Sequence, residues 1–375
     1  PSVQNCTIQN NGSYGVYAYD SSCEPTITGG SIKDNGDYAI RTFGENVKDI
    51  TGSITITGNT KNAIWVGGET VYTGTWLNHG VPYDIGGNIT VDDGDTLTIN
   101  SGVTLRFTGG HTFYVYGVLR AEGTSDSHIT FTRHPSYAGY WNYIYFYYPD
   151  GNCLLKYCDI SYGGNTTGMV FMRGAGSKVT LDNCIIKYSH TAGIYMYYDS
   201  SPTIKNCMIT GNETYGVYIA SEGTNNPTFV SSDSVWNDIY NNGSYNLYHG
   251  DEHGITAENV YWGYLTSSKI DSTIYDDDES GLDARKVDFT PWKTDVSHEL
   301  PSNEHSGTIT QDETWKLQDS PHYVTGIVVV DTGATVTIED GCEVRFNSGT
   351  YISVKGTLTA GGTSGTITFT RSGDG

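Results

Sequence analysis

Aromatic side chains recur along this chain at spacings that would align them on one surface, where rings can stack against sugars or a partner chain. If strands repeat at these spacings, side chains one repeat apart form a column on the outer surface. One such predicted column holds Tyr145, Val170, Tyr195 and Tyr218, with Tyr17, Arg41 and Trp65 nearer the N-terminus. A neighbouring column holds Tyr147, Met172 and Tyr197. The candidate binding residues for a carbohydrate or partner are Tyr17, Trp65, Tyr145, Tyr147, Tyr195, Tyr197 and Tyr218. The structural alternative is that tyrosine simply suits strands and covers its neighbours.

An acidic run provides hard oxygen ligands of the kind that Ca²⁺ prefers. Its candidate ligands are Asp276, Asp277, Asp278, Glu279 and Asp283. The alternating spacing of an EF-hand loop is absent, and a solvated loop is the favoured alternative. The expected cofactor is therefore none, or Ca²⁺ at this run.

Histidine and cysteine patterns do not assemble into a further site. His249 and His253 are four residues apart, but the order is not HExxH, and Gly250 would break a helix that put both on one face. The seven Cys include no CxxC pair, which argues against a zinc site or a disulfide framework, although disulfides between stacked cysteines stay open. No Ser/His/Asp or Cys/His group can be assembled from the sequence.

The overall charge limits the classes of partner. With 42 acidic and 20 basic residues, the formal net charge is −22, so a nucleic-acid partner is not expected. No apolar run is long enough to span a membrane. The chain opens on Pro1 without Met, which fits an excerpt or a mature product better than a complete gene product.

Internal repeats determine the fold class. The motif "Asn-Cys-x-Ile, Asn/Gly turn, Tyr-Gly-Val-Tyr" occurs at 3–19 and 204–220, and a third copy lies at 182–198. Ile8, Ile32 and Ile56 recur every 24 residues. Within each copy, apolar residues alternate with polar or aromatic ones, as in strands. Short strands recurring at one coil's length must stack in parallel, so the chain is predicted to be an all-β parallel solenoid with coils of about 24 residues.

The alternation also assigns the inward side chains. One inward column is predicted to hold Ile144, Met169, Ile194 and Val217, and the next Phe146, Phe171, Met196 and Ile219. Cys158, Cys184 and Cys207 are predicted to form a third inward stack, and Asn183 and Asn206 a turn ladder.

A longer repeat divides the chain into modules. Residues 76–107 match 315–346 at an offset of 239 residues, and the match continues through ITFTR at 129–133 and 367–371. The predicted division is therefore 1–75, the last coils of one module; 76–314, a complete module; and 315–375, the opening coils of a third.

The coils resemble the right-handed parallel β-helix repeat proteins of the pectate-lyase-like superfamily. The opening of each module and the closing segment at 259–292, with its N-x-W-G…P-W pattern, are similar to elements of large secreted members. The resemblance covers nearly the whole chain and implies the fold, but the scaffold carries lyases, hydrolases, adhesins and structural shafts alike. Lyases of this kind need a Lys, Arg or Tyr base with acidic calcium ligands, and hydrolases need paired carboxylates. Arg41 and Arg173 lie near the aromatic columns without such a pair.

The favoured function is a non-catalytic module outside the cell or on its surface: a stalk, an adhesin or a filament component. Tandem modules extend reach and multiply weak contacts. The expected partners are further copies of the module or subunit, end to end, with polysaccharide as a candidate ligand of the Tyr stripes. The alternatives are a polysaccharide lyase or glycoside hydrolase on the same scaffold, and a carbohydrate-binding solenoid without turnover.

Overall fold

Strands make up almost all of the regular structure. The computed structural model describes residues 1–176, 178–232, 235–280, 285–294, 303–347, 349–361 and 365–371, apart from the side chains of Asp278, Ser280 and Gln318. All pairings between its strands are parallel, and each strand pairs with strands about one coil away in sequence. The predicted all-β parallel solenoid with coils of about 24 residues is confirmed.

Three long sheets form the sides of the solenoid. Sheet I has ten strands: Val16–Tyr17, Tyr38–Phe43, Lys61–Gly67, Tyr83–Ile85, Thr104–Phe107, Ile129–Arg133, Cys158–Ser161, Ile185–Lys187, Met208–Thr210 and Asp238–Tyr240. Sheet II has nine: Glu69–Val71, Ile89–Val91, Phe113–Val115, Ile144–Tyr147, Val170–Arg173, Ala192–Tyr197, Tyr215–Ile219, Tyr245–His249 and Ile274–Tyr275. Sheet III has seven: Gly74–Trp76, Thr96–Asn100, Val118–Glu122, Cys153–Lys156, Val179–Asp182, Thr203–Lys205 and Thr228–Val230.

Smaller elements lie towards the ends of these sheets. Ser2–Gln4, Thr7–Gln9, Thr26–Lys33 and Ile50–Thr57 form a four-stranded sheet, and Ile255–Thr256 pairs with Val287–Asp288. The helical segments are Ser21–Cys23, Gly44–Asp49, Ser267–Asp271, Asp277–Ser280 and Leu317–Asp319.

The core is a set of inward columns that run along the solenoid. Ile8, Ile32 and Ile56 are register partners, as the sequence predicted. Cys158, Cys184 and Cys207 are fully buried, and the thiol of Cys184 donates to the Leu155 carbonyl one coil below. Because each coil has only a few inward residues, its apolar surface is buried by the coils above and below it.

Asparagine side chains bridge successive coils at the turns. Asn206 donates to the side-chain oxygen of Asn183, as predicted, and both adopt a left-handed backbone with φ of 51° and 56°. A second ladder was missed: the side-chain oxygen of Asn35 accepts from Asn11, and that of Asn59 accepts from Asn35. These amides satisfy turn groups that no strand can pair.

The assignment of inward and outward side chains was wrong for the strand Val170–Arg173. Val170 and Met172, not Phe171, point into the core beside Ile144 and Phe146, and Phe171 points outward. Met169 is buried but precedes the strand. Ile144 and Val170 are register partners 26 residues apart, whereas the assignment assumed 25, and in a strand a shift of one residue exchanges the two faces.

The segment from Asn303 onward has sheets and a core of its own. Its strands form one sheet of five and one of three: Glu304–Ile309, His322–Val330, Glu343–Phe346, Ile352–Val354 and Thr368–Arg371; and Glu313–Trp315, Thr335–Ile338 and Thr357–Ala360. We call this segment the C-terminal coils. By contrast, sheet I shows no interruption at residues 75 and 76, because Lys61–Gly67 pairs with both Tyr38–Phe43 and Tyr83–Ile85, whereas sheets II and III begin at Glu69 and Gly74. The division into three modules stays a prediction.

Candidate functional site on the outward face of sheet II

Seven aromatic side chains form one outward column of sheet II. They are register partners in successive coils: Tyr114, Tyr145, Phe171, Tyr195, Tyr218, Tyr248 and Tyr275. We call this column the aromatic ladder. The sequence predicted Tyr145, Tyr195 and Tyr218 in it. Phe171 was missed because of the register error, whereas Tyr248 follows the same Ser-Tyr-x-x-Tyr pattern as Tyr17 and could have been found.

Four of the six neighbouring pairs of rings in the ladder stack face to face, whereas Phe171 meets Tyr195 edge to face and Tyr114 is tilted against Tyr145. Ring centroids lie 4.4 Å apart for Tyr145 and Phe171 and 4.3 Å apart for Tyr248 and Tyr275, with planes 7° and 6° from parallel. Tyr218 stacks on Tyr195 in the same way, at 4.6 Å. Since neighbouring strands are separated by about 4.8 Å, the ring faces cover one another along the solenoid axis. The rings that stack in this way therefore present mainly their edges to the solvent.

Burial makes the tyrosine hydroxyls of the ladder weaker acids than an exposed tyrosine. Burial raises the pKa of Tyr145 to about 12, despite the opposing effect of the Arg173 guanidinium. Burial also raises the pKa of Tyr195 and Tyr218, with a further contribution from neighbouring tyrosines. A phenol held neutral in this way is a poor general base, so the ladder is a packing feature rather than a proton acceptor.

Beside the ladder, one cation lies among tyrosines. The Arg173 guanidinium is 5.6 Å from the Tyr147 ring centroid, 5.2 Å from Tyr197 and 6.0 Å from Tyr198. Tyr147 packs edge to face on Tyr148 at 4.9 Å. We call Tyr147, Tyr148, Arg173, Tyr197 and Tyr198 the Arg173 patch.

The Arg173 patch differs from the ladder in its exposure. Tyr148 and Tyr198 are 46% and 45% exposed. Gly174, the residue between them in the stack, has φ of 60°, and a Cβ there would meet the Tyr148 ring at 2.2 Å. The glycine thus lets the Tyr148 ring lie against the backbone of the next coil. The patch combines exposed rings with a guanidinium whose pKa is raised by the tyrosine side chains around it.

Tyr17 and Trp65 do not belong to the aromatic ladder or to the Arg173 patch. The sequence placed them in the same column as Tyr145, but the structure puts both on sheet I, where they flank Arg41 in register. The Arg41 guanidinium lies 4.2 Å from the Trp65 ring and donates to the Tyr14 hydroxyl at 2.7 Å. The misplacement arose because a strand sequence does not reveal which side of the coil it occupies.

Further along the same column of sheet I is a buried ion pair that sequence reasoning missed. Asp84 is 1% exposed and accepts two hydrogen bonds from Arg106, at 2.7 and 3.0 Å. His134 Nε2 lies 3.5 Å from the second Asp84 oxygen. The Asp84 carboxylate also contributes, after burial, to raising the pKa of Tyr38 to about 12. With its oxygens engaged in this way, Asp84 is a structural anion rather than a free base.

A second polar cluster lies between sheets I and II. His190 Nδ1 is 2.7 Å from Glu213, both side chains are 47% exposed, and Tyr140 donates to the other Glu213 oxygen. The Tyr140 ring stacks on His190 at 4.8 Å. A carboxylate that orients an exposed imidazole is one element of general acid–base catalysis.

Two of the predicted calcium ligands, Asp276 and Glu279, make hydrogen bonds within a loop. Asp276 is buried, and one of its oxygens accepts from the Val287 amide at 2.8 Å. Glu279 accepts from the Asp276 amide at 3.3 Å. The side chain of Asp278 and the whole of Asp283 lie outside the described residues. Within the described part of the chain, no three His, Cys, Asp or Glu side chains are grouped to hold a metal ion.

Comparisons with known proteins agree with this architecture. The family model for the right-handed beta helix region matches residues 78–234 and 122–275, together more than half of the chain. The chain belongs to this family. No curated protein and no solved structure gave a match. In the part of this β-helix chain that is described, no helix has the length and apolar character needed to cross a membrane.

Proposed function

We propose that this β-helix chain is a non-catalytic structural or adhesive module outside the cell or on its surface, as part of a stalk, adhesin or filament. The observation that carries the proposal is the aromatic ladder, in which outward rings of seven successive coils pack on one another. Such packing stiffens the rod along its axis, because each coil is tied to the next by both backbone and side-chain contacts.

Polysaccharide is the proposed ligand, and the Arg173 patch is its proposed site. Tyr148 and Tyr198 are exposed rings of this face, whereas stacked ladder rings such as Tyr218 and Tyr248 cover one another. An exposed ring gives a sugar a flat apolar surface, and the Arg173 guanidinium can donate to sugar oxygens beside it. The predicted residues Tyr147 and Tyr197 belong to this patch, and Tyr145, Tyr195 and Tyr218 support it from the ladder.

Binding to insoluble and soluble polysaccharides tests the ligand. The double variant Tyr148→Ala/Tyr198→Ala should weaken binding on the order of tenfold, or about 1.4 kcal/mol. Tyr72→Ala is the matched control, because Tyr72 is 51% exposed and lies outside the patch. Equal binding by the patch variant and the control would remove the patch as the site. Labelling of intact cells with an antibody against the chain tests the location separately.

A polysaccharide-cleaving enzyme is the second candidate, favoured by His190 and Glu213. Incubation with the same panel, with and without Ca²⁺, should release no new reducing ends and no unsaturated uronate. Turnover that is abolished by His190→Ala, with folding intact, would replace the structural proposal with an enzymatic one.

A further inference from the structure

A chain of hydrogen bonds crosses the interior of the C-terminal coils. His322 Nε2 lies 2.8 Å from the Lys316 carbonyl oxygen, His322 Nδ1 lies 2.9 Å from His305 Nε2, and His305 Nδ1 lies 3.1 Å from Glu313. His305 and His322 are 6% and 0% exposed. The ring of Trp315 stacks on His305 at 3.8 Å and donates to Glu313.

These partners determine which ring nitrogens of His305 and His322 donate and which accept. A carbonyl oxygen only accepts, so His322 donates from Nε2 and must accept at Nδ1. His305 therefore donates from Nε2, and its Nδ1 is left to share a proton with Glu313. Burial pushes the pKa of Glu313 up, but its contacts with His305 and Trp315 together hold that pKa below its usual range. The three contacts together therefore hold three protons, one between each pair of partners.

A second proton has no place in this arrangement. If His322 also carried a proton at Nδ1, that N–H group and the Nε2–H group of His305 would point at each other across 2.9 Å. Burial lowers the pKa of His322, and the charge of His305 lowers it further, although Asp319 and Glu313 oppose this. In acid the His305–His322 bond must therefore break.

The equivalent positions earlier in the chain show that the fold does not need these groups. The residues 239 positions earlier are Val66, Gly74 and Tyr83 in place of His305, Glu313 and His322. There the Tyr83 hydroxyl donates to the Leu77 carbonyl at 2.6 Å, as His322 does to Lys316. At Tyr83 this contact is made by a hydroxyl, which stays neutral in acid. At His322 it is made by an imidazole, which can take up a proton in acid.

The network adjoins the contact between the C-terminal coils and sheet I. Glu304, next to His305, pairs with Lys187 and accepts from the Tyr188 hydroxyl. Thr325 bonds both the Tyr188 hydroxyl and the His305 carbonyl. A movement of His305 is therefore transmitted directly to the residues that hold the C-terminal coils on sheet I.

We propose that His305, His322 and Glu313 form an acid-sensitive switch that keeps the C-terminal coils ordered and docked on Tyr188 at neutral pH and releases them in acid. The bistable element is the His305–His322 hydrogen bond, and the second proton on His322 biases it towards the open state. This inference is independent of the polysaccharide proposal, since it involves neither the ladder nor the Arg173 patch.

Hydrogen exchange of the full chain tests the switch. Between about pH 7 and about pH 5, peptides covering 304–330 should lose protection at least tenfold after correction for intrinsic exchange, because histidine protonates in that range. Peptides covering 65–91, the positions 239 residues earlier, report on the equivalent coils and should not change. Loss of protection in both regions together would overturn the proposal.

Two variants separate the switch from general acid sensitivity. The triple variant His305→Val/Glu313→Gly/His322→Tyr installs the residues found 239 positions earlier and should abolish the pH response. His322→Gln retains a donor for Lys316 and an acceptor for His305 without a titratable group, and it should do the same if the triple variant fails to fold. An unchanged acid response in His322→Gln would refute the switch.

Discussion

Tyr218 and Tyr248 are register partners on sheet II, and their rings lie 4.5 Å apart with planes 3° from parallel. That separation is close to the rise from one parallel strand to the next, so the two rings follow the backbone spacing without tilting. Tyr248 makes the same contact with Tyr275 on its other side. The outward side of the sheet is thus stabilised by side chains that would otherwise be fully wetted.

Removing one ring from the ladder should destabilise the solenoid. Tyr248→Ala loses two stacked partners and should lower the free energy of unfolding by about 1–3 kcal/mol, measured by urea denaturation. Tyr264→Ala, at a tyrosine that is 40% exposed and outside the ladder, should cost no more than about 0.5 kcal/mol. A double-mutant cycle with Tyr218→Ala should give a coupling of about 0.5–1.5 kcal/mol. Additive effects would show that the stacking contributes nothing.

Alkaline pH should unfold the chain through its tyrosines. The folded pKa values of Tyr38 and Tyr145 are about 12, above the ordinary value of about 10. Between these values the unfolded chain has lost the protons that the folded chain retains. The contribution to stability is therefore complete below about pH 10 and is lost as the pH rises towards 12.

Urea denaturation at several alkaline pH values measures this fall, and Tyr145→Phe should make it shallower because the variant has one fewer phenol to ionise. Tyr72→Phe is the control, since Tyr72 is 51% exposed. A pH dependence that is identical in Tyr145→Phe and in the unaltered chain would contradict the assignment.

The sequence predicted the stacking of the coils more accurately than it predicted which side chains point inward or outward. The 24-residue recurrence of Ile8, Ile32 and Ile56 gave the coil length directly, because the spacing there is constant. Where a turn gains one residue, as before Val170, constant spacing fails and every side chain exchanges faces. The grouping of Tyr17 with Tyr145 failed for another reason: each coil contains three strands of similar composition, and composition does not specify the sheet.

Contacts that do not follow the repeat motif could not be predicted. Asp84 and Arg106 are ordinary charged residues in the sequence, and only the stacking of their strands brings them together. The Arg173 patch depends on the correct register of Phe171 and on Gly174, neither of which a motif marks.

The cysteine stack should be inert to thiol reagents in the folded chain. Cys158, Cys184 and Cys207 are fully buried, and burial raises the pKa of Cys184 and of Cys207 well above the ordinary value. Since the thiolate is the reactive form, these thiols should react only after unfolding. Cys6 is exposed and should react first. Mass spectrometry of the alkylated chain distinguishes the sites, and early labelling of Cys184 would contradict the burial.

The ion pair between Asp84 and Arg106 should be costly to break. Asp84→Ala leaves a half-buried guanidinium without its carboxylate, and such losses typically cost about 3–5 kcal/mol. Because the Arg106 side chain is 25% exposed, water can partly replace the lost partner, and we expect the lower end of that range. Glu122→Ala is the control, since the pair of Glu122 with Arg120 is 41% exposed on both sides and should contribute less than about 1 kcal/mol. Urea denaturation of both variants, and of Asp84→Ala/Arg106→Ala, gives the comparison. If the double variant is as unstable as Asp84→Ala alone, the cost comes from lost packing around Asp84 rather than from an unpaired Arg106.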